Sequence, residues 1–152
     1  MREDDPGLQA WSHFLGAHAL ALRAVEARLK AAGQPPLAWY DVLLELERAD
    51  GRLRIGELGD RLVVEPYNMT RLVDRLEKEK LLRREPAEDD ARVAVVTITD
   101  KGKELRRSIW PHYRRAIREV FADAITDADA DAMVRAMKKV IAHLREAQTA
   151  AS

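Results

Sequence analysis

The sequence predicts a mainly α chain with one small β-hairpin, and three observations carry that reading. Apolar residues recur at steps of three and four through long stretches at both ends of the chain and through shorter ones between, the pattern of amphipathic helices. The segment Val93-Ala94-Val95-Val96-Thr97-Ile98-Thr99 instead alternates in period two and is rich in β-branched residues, as a half-buried strand requires. Just before it, Arg83-Arg84-Glu85-Pro86-Ala87-Glu88-Asp89-Asp90-Ala91-Arg92 reads as a second strand running into a charged, proline-marked tip.

The first helix spans about Leu8 to Ala32, with Leu8, Trp11, Leu15, Leu22, Val25 and Leu29 along one stripe, and Gly33-Gln34-Pro35-Pro36 ends it. Leu37 to Ala49 forms the second helix, with Val42, Leu43 and Leu46 facing inward. Asp50-Gly51 is a turn, and Leu53-Arg54-Ile55 suits a short strand. A third helix, about Gly56 to Val63, presents Leu58 and Leu62 to the core together with Ile55. Glu65 then caps a fourth helix running to about Lys80, with Pro66 at its first position, where a missing N–H costs nothing. Helix, tight turn, helix at this spacing is a helix-turn-helix, and the hairpin from Leu82 to Thr99 makes it winged. Thr99-Asp100 caps a fifth helix, Lys101 to about Ala124, carrying Leu105, Ile109, Tyr113 and Ile117. Thr126 caps the last, whose early aspartates and later lysines complement the helix dipole. Its apolar face is Ala130, Met133, Val134, Met137, Val140, Ile141 and Leu144, and Ala147 to Ser152 reads as a frayed tail.

The first, fifth and sixth helices exceed what a compact winged helix needs. The economical explanation is that they pack together and against a second copy. The expected division is residues 1–36 and 100–152 as a helical dimerisation lobe, with residues 37–99 as the winged helix-turn-helix unit.

Composition narrows the function classes. The chain has 152 residues, 47% of them hydrophobic and 34% charged, a globular and well-solvated balance. No cysteine is present, which removes disulfides, thiolate metal sites and thiol redox sensing. No apolar run is long enough to span a bilayer and no secretory signal opens the chain, so a cytoplasmic location without membrane contact is expected. The histidines number four, and no phosphate-binding loop or H-E-x-x-H motif occurs. His13 and His18 fall near opposite faces of a helix and make a poor metal pair. Neither an enzyme nor a metal or cofactor site is expected.

The net charge of zero argues against a generic polycation but not against a local basic face. From Arg71 to Arg84 six cations stand against three carboxylates. On the fourth helix, Met69, Leu72, Val73 and Leu76 share one face, which leaves Asn68, Thr70, Arg71 and Arg75 pointing elsewhere. Amide, hydroxyl and guanidinium groups on a helix beside a basic hairpin can read one DNA groove and touch the next.

The order of these pieces carries a resemblance. T-R-L-V-D-R-L-E (Thr70 to Glu77), then Asp90-Ala91-Arg92, then Ile98-Thr99-Asp100-Lys101-Gly102 resemble the MarR (multiple antibiotic resistance regulator) family. Leu53-Arg54-Ile55-Gly56-Glu57-Leu58 and Leu37-Ala38-Trp39-Tyr40-Asp41-Val42 fit the same pattern. The resemblance implies a homodimeric winged helix-turn-helix transcription factor on a pseudo-palindromic double-stranded operator, commonly a repressor released by a small aromatic or lipophilic ligand. Three departures stand out. Tyr67 occupies a position where family members often carry a small residue. Lys80 replaces a common glycine, where a left-handed turn would cost roughly 1 kcal/mol. Ala91 and Val93 leave Arg92 as the cation of the wing tip.

In that frame Arg92 enters the adjacent minor groove, and Asp90 orients it or another nearby arginine. Tyr67, Asn68, Thr70 and Arg71 are candidates for base edges and phosphates. Arg75 contacts phosphate or ties helix to wing, and Arg54 and Arg83 flank the same face as backbone candidates. A ligand cleft between lobe and winged unit would draw on Trp11, Leu15, Trp39, Asp41, Trp110, His112 and Tyr113, with stacking faces and a titratable imidazole. For each of these singly, a place in a packed core or dimer interface is the plainer reading. The competing function is a winged helix used for protein contacts without DNA.

Overall fold

The computed structural model describes residues 5–62 and 66–151, apart from the side chains of residues 66 and 67. The expected Val64-Glu65 turn and Glu65 cap fall outside the described residues. The elements follow as α1 (Pro6–Ala31), α2 (Leu37–Arg48), β1 (Arg52–Arg54), α3 (Ile55–Arg61), α4 (Pro66–Lys78), β2 (Leu82–Pro86), β3 (Ala94–Ile98), α5 (Asp100–Val120) and α6 (Asp127–Ala150), with a 3₁₀ turn at Ala122–Ala124. The predicted class, mainly α with a small hairpin wing, is the one found.

Local chemistry sets the ends. The Asp5 carboxylate accepts from the Gly7 and Leu8 N–H groups and caps α1, and Gly33 leaves it at φ +69°. Thr126 and Asp129 form a reciprocal capping box on α6. Three boundaries differ from expectation. Ile55 opens α3 instead of closing β1. The fifth helix stops at Val120 because Phe121 turns out of helical conformation into the 3₁₀ turn. The frayed tail is corrected: α6 continues to Ala150, since alanine and glutamine favour a helix and the Thr149 hydroxyl donates to the Arg145 carbonyl.

The sheet is antiparallel, in the order β1-β3-β2. β1 pairs with the base of β3, Arg52 facing Thr97 and Arg54 facing Val95, while β2 follows β3 out to Pro86 opposite Ala94. Residues 87–93 therefore project beyond the three-stranded part as the wing tip.

Two buried clusters organise the packing. The winged unit closes over Val42, Leu43, Leu46, Leu58, Met69, Val73, Leu76 and Val96. The second cluster joins Val25 and Leu29 of α1 to Leu37 and Tyr40 of α2 and to Ile109 and Ala116 of α5. α2 thus serves both cores, and Arg106 pairs with Glu47 across α5 and α2. α6 buries none of its residues. Its Met133, Val134, Val140, Ile141 and Leu144, with Trp11, Phe14, Leu15, Leu20 and Leu22 of α1, stand exposed.

Candidate nucleic-acid interface

The amphipathic split of α4 decides what it shows to solvent. Met69, Val73 and Leu76 are buried under the sheet. Asn68, Thr70, Arg71 and Arg75 are exposed, and Asn68, Arg71 and Arg75, at steps of three and four, share one outer face. The side chain of Tyr67 falls outside the described residues.

The wing tip is built by short hydrogen bonds. Ala87 N–H donates to the Val93 carbonyl at 2.8 Å and Val93 N–H to that of Asp90 at 3.0 Å. Asp90 then takes three bonds from Arg92: one from its backbone N–H, one from Nε, both at 3.0 Å, and one from Nη2 at 3.2 Å. This fork holds the Asp90 carboxyl below the usual carboxylate range. The Arg92 side chain so held is still 90% exposed. The expected Asp90–Arg92 partnership is thus present, and the bidentate geometry is the strong form of such a pair.

The other cations are placed differently from one another. Arg83 lies 3.4 Å from Glu85 on the outer side of β2. Arg54, at the end of β1, reaches Asp89 of the tip at 2.5 Å. Helix and wing are tied by Arg84, a residue that sequence reasoning counted only as part of the basic face. Its Nη2 meets Asp74 at 2.5 Å and Glu77 at 3.1 Å, and its backbone N–H donates to Glu77 at 2.7 Å. Arg75, the expected candidate for that tie, has no ion pair among the described residues. The available signal was Asp74 and Glu77, three apart on one helix face opposite a cation. While Arg84 is held by Asp74 and Glu77, Arg71, Arg75 and Arg92 remain exposed.

The base of the wing is knotted to the helices around it. Lys80 takes a left-handed φ of +61°, at the position where the sequence flagged a missing glycine. The Thr99 hydroxyl donates to the Lys80 carbonyl at 2.7 Å and accepts from the Gly102 N–H at 3.1 Å. Lys101 Nζ donates to the Glu79 carbonyl at 2.8 Å. A β-carbon at Gly102 would lie 2.1 Å from the Leu81 carbonyl oxygen, so only glycine lets α5 sit this close.

The residues expected to line a ligand cleft occupy several places. Trp39 lines a cleft of about 430 Å³ with Leu81, Lys101, Leu105 and Ser108. Trp110 stacks on Tyr40 at a ring separation of 6.2 Å, and Tyr113 meets Tyr40 edge-on at 5.0 Å. Tyr113 also faces a larger apolar cleft of about 660 Å³ among α1, α5 and α6, with Phe14, His18, Phe121, Met133 and Met137. Trp11 and Leu15 are exposed along α1, and His112 sits on the outer side of α5 beside Arg28 and Arg115. Asp41 is half-buried, its carboxyl raised to about 6 by burial and by Glu45 and Glu26. Burial and the nearby Asp41 also raise the Tyr113 phenol.

Comparison with known proteins agrees with this geometry. A family model described as MarR family matches residues 34–93, the stretch from before α2 to the wing tip. The structure of AbsC, a MarR family transcriptional regulator from Streptomyces coelicolor, superposes with a TM-score of 0.81 at 26% identity, covering 96% of this chain and 99% of that one. Over its whole fold the chain is similar to MarR family regulators. Sco3205 of the same organism, a MarR family regulator solved in complex with DNA, matches with a TM-score of 0.76 at 26% identity over 88% of this chain and 84% of that one. YkoM of Bacillus subtilis (strain 168), an uncharacterized HTH-type transcriptional regulator, is 31% identical over 101 residues, 66% of this chain and 65% of YkoM. The chain therefore spans just under two thirds of that relative's length. These relatives are transcriptional regulators. No described helix is long and apolar enough to cross a membrane.

Proposed function

We propose that this chain is a MarR-family regulator, a cytoplasmic, non-catalytic homodimer that binds a pseudo-palindromic DNA operator and regulates transcription, as a repressor released by a small aromatic or lipophilic ligand. The observation that carries the reading is the pairing of an exposed basic helix face with an exposed guanidinium at the wing tip. Arg71 and Arg75 stand on the outer face of α4, and Arg92 is held outward by Asp90 at the wing tip. α4 lies in the major groove with Asn68, Thr70 and Arg71 toward base edges and Tyr67 at its entry. Arg75 and Arg83 serve the backbone, and Arg92 takes the adjacent minor groove. Residues 37–99 form the DNA-binding unit; residues 1–36 and 100–152 form the dimer lobe. The apolar faces of α1 and α6 left open in one chain support that lobe, since monomers rarely expose so much apolar surface.

The effector reading rests on the aromatic groups Trp39, Trp110 and Tyr113 near the junction of lobe and winged unit, with Asp41 beside them. Trp11, Leu15 and His112 are the outlying members of that proposal.

The test is selection from a random duplex pool, followed by binding curves at two salt concentrations. An inverted repeat with half-sites about 10 base pairs apart, bound less tightly as salt rises, is the expected result. No enrichment, together with salt-insensitive capture of protein partners, would replace the reading by a winged helix that meets protein.

A further inference from the structure

The tip of this wing is acidic. Between Glu85 and Arg92 the chain carries Glu85, Glu88, Asp89 and Asp90 against a single guanidinium, and that guanidinium is held by Asp90. A segment with that balance repels a phosphate backbone, yet Arg92 can enter a groove only if its neighbours come close to one. The missing charge comes from outside the hairpin. Arg54 closes β1 opposite Val95, and its backbone N–H donates to the Glu57 carboxylate at 3.0 Å, which fixes the strand-to-helix joint it leaves from. Its Nη2 reaches Asp89 Oδ2 at 2.5 Å across 35 residues of sequence, and both residues line the cleft of about 410 Å³ between β1 and the tip.

We propose that Arg54 is the internal counterion of the wing, a positioning residue that neutralises and holds Asp89 so that the adjacent Asp90–Arg92 fork can approach DNA. The inference rests on the DNA-binding reading above. It differs from a direct phosphate contact, because Arg54 then acts through Asp89 and loses its importance once that carboxylate is gone. Arg54 also holds the Asp89 carboxyl below its ordinary range.

A double-mutant cycle on the selected duplex tests it. Arg54→Gln should lower affinity about fivefold, the scale of one unmasked surface charge. Asp89→Asn alone should change it less than about twofold, and the double variant should return to within about twofold of wild type. Additive effects would overturn the proposal and make Arg54 a direct backbone contact. A readout without DNA accompanies the cycle: the Asp89 carboxyl, followed by carbon NMR, should titrate lower in wild type than in Arg54→Gln. Identical midpoints would also overturn it. Wild-type protein that retains no duplex at any salt would overturn the DNA-binding reading and the tip's role with it, while the titration still reports whether the pair forms.

Discussion

A single carboxylate, Asp90, gives Arg92 its direction, and that makes the guanidinium a separable probe of DNA contact. Arg92→Ala should cost on the order of 1–2 kcal/mol of operator binding while the dimer stays intact. A monomeric variant in sedimentation would sink the assignment. Asp41 makes a prediction of opposite kind. Its carboxyl holds a proton up to about pH 6 in the folded chain, whereas the unfolded chain releases it near 3.9. Across that window the folded state binds more protons, so this residue's contribution to stability falls as pH rises through it. Asp41→Asn should therefore stabilise the protein at pH 7.5 by about 1 kcal/mol, less than the shift alone would give because the side chain keeps solvent contact. The gain should vanish near pH 4, and equal gains in thermal melts at both pH values would refute the assignment. Which of these pairings could be read from sequence depends on separation. Asp90 and Arg92 lie two apart in one turn, so local chain geometry suffices. Arg54 with Asp89, and Arg84 with Asp74 and Glu77, are brought together by strand register and helix docking, which composition does not encode.

At the scale of elements, the junction where α4, β2, β3 and α5 meet is the most constrained point of the fold. Lys80 pays a left-handed penalty there, so Lys80→Gly should raise stability by about 0.5–1 kcal/mol, read from urea midpoints. A loss would mean that Lys80 makes compensating contacts. Gly102→Ala should destabilise by about 1–3 kcal/mol, since the new methyl meets the Leu81 carbonyl; an unchanged midpoint would show that α5 can retreat freely. The sequence made the helices, the hairpin and the strained Lys80 legible through periodicity and turn chemistry. It marked Gly102 as part of a motif without giving the reason, because close approach between two backbones leaves no trace in hydrophobic pattern. The persistence of α6 to Ala150 was missed for a different cause: a short alanine-rich end resembles a tail until the turn before it is already helical.

For the whole molecule, the open apolar faces of α1 and α6 are the proposed seat of the dimer. Leu144, 54% exposed in one chain, should be covered in the dimer, so Leu144→Glu should yield a monomer in sedimentation and weaken operator binding by more than about tenfold, because two half-sites are no longer engaged together. A dimer of unchanged strength would move the interface elsewhere. The knot at Gly102 then acquires a mechanical meaning. α5 has 21 residues, a rod of roughly 30 Å, welded at its first turn to the end of the helix that carries Arg71 and abutting the large apolar cleft near Phe121 at its other end. Such a rod is a lever. Pivoting it by about 5° at the Phe121 end would carry the weld sideways by roughly 2.6 Å, and the reading heads of the two protomers would shift against the fixed pitch of the double helix.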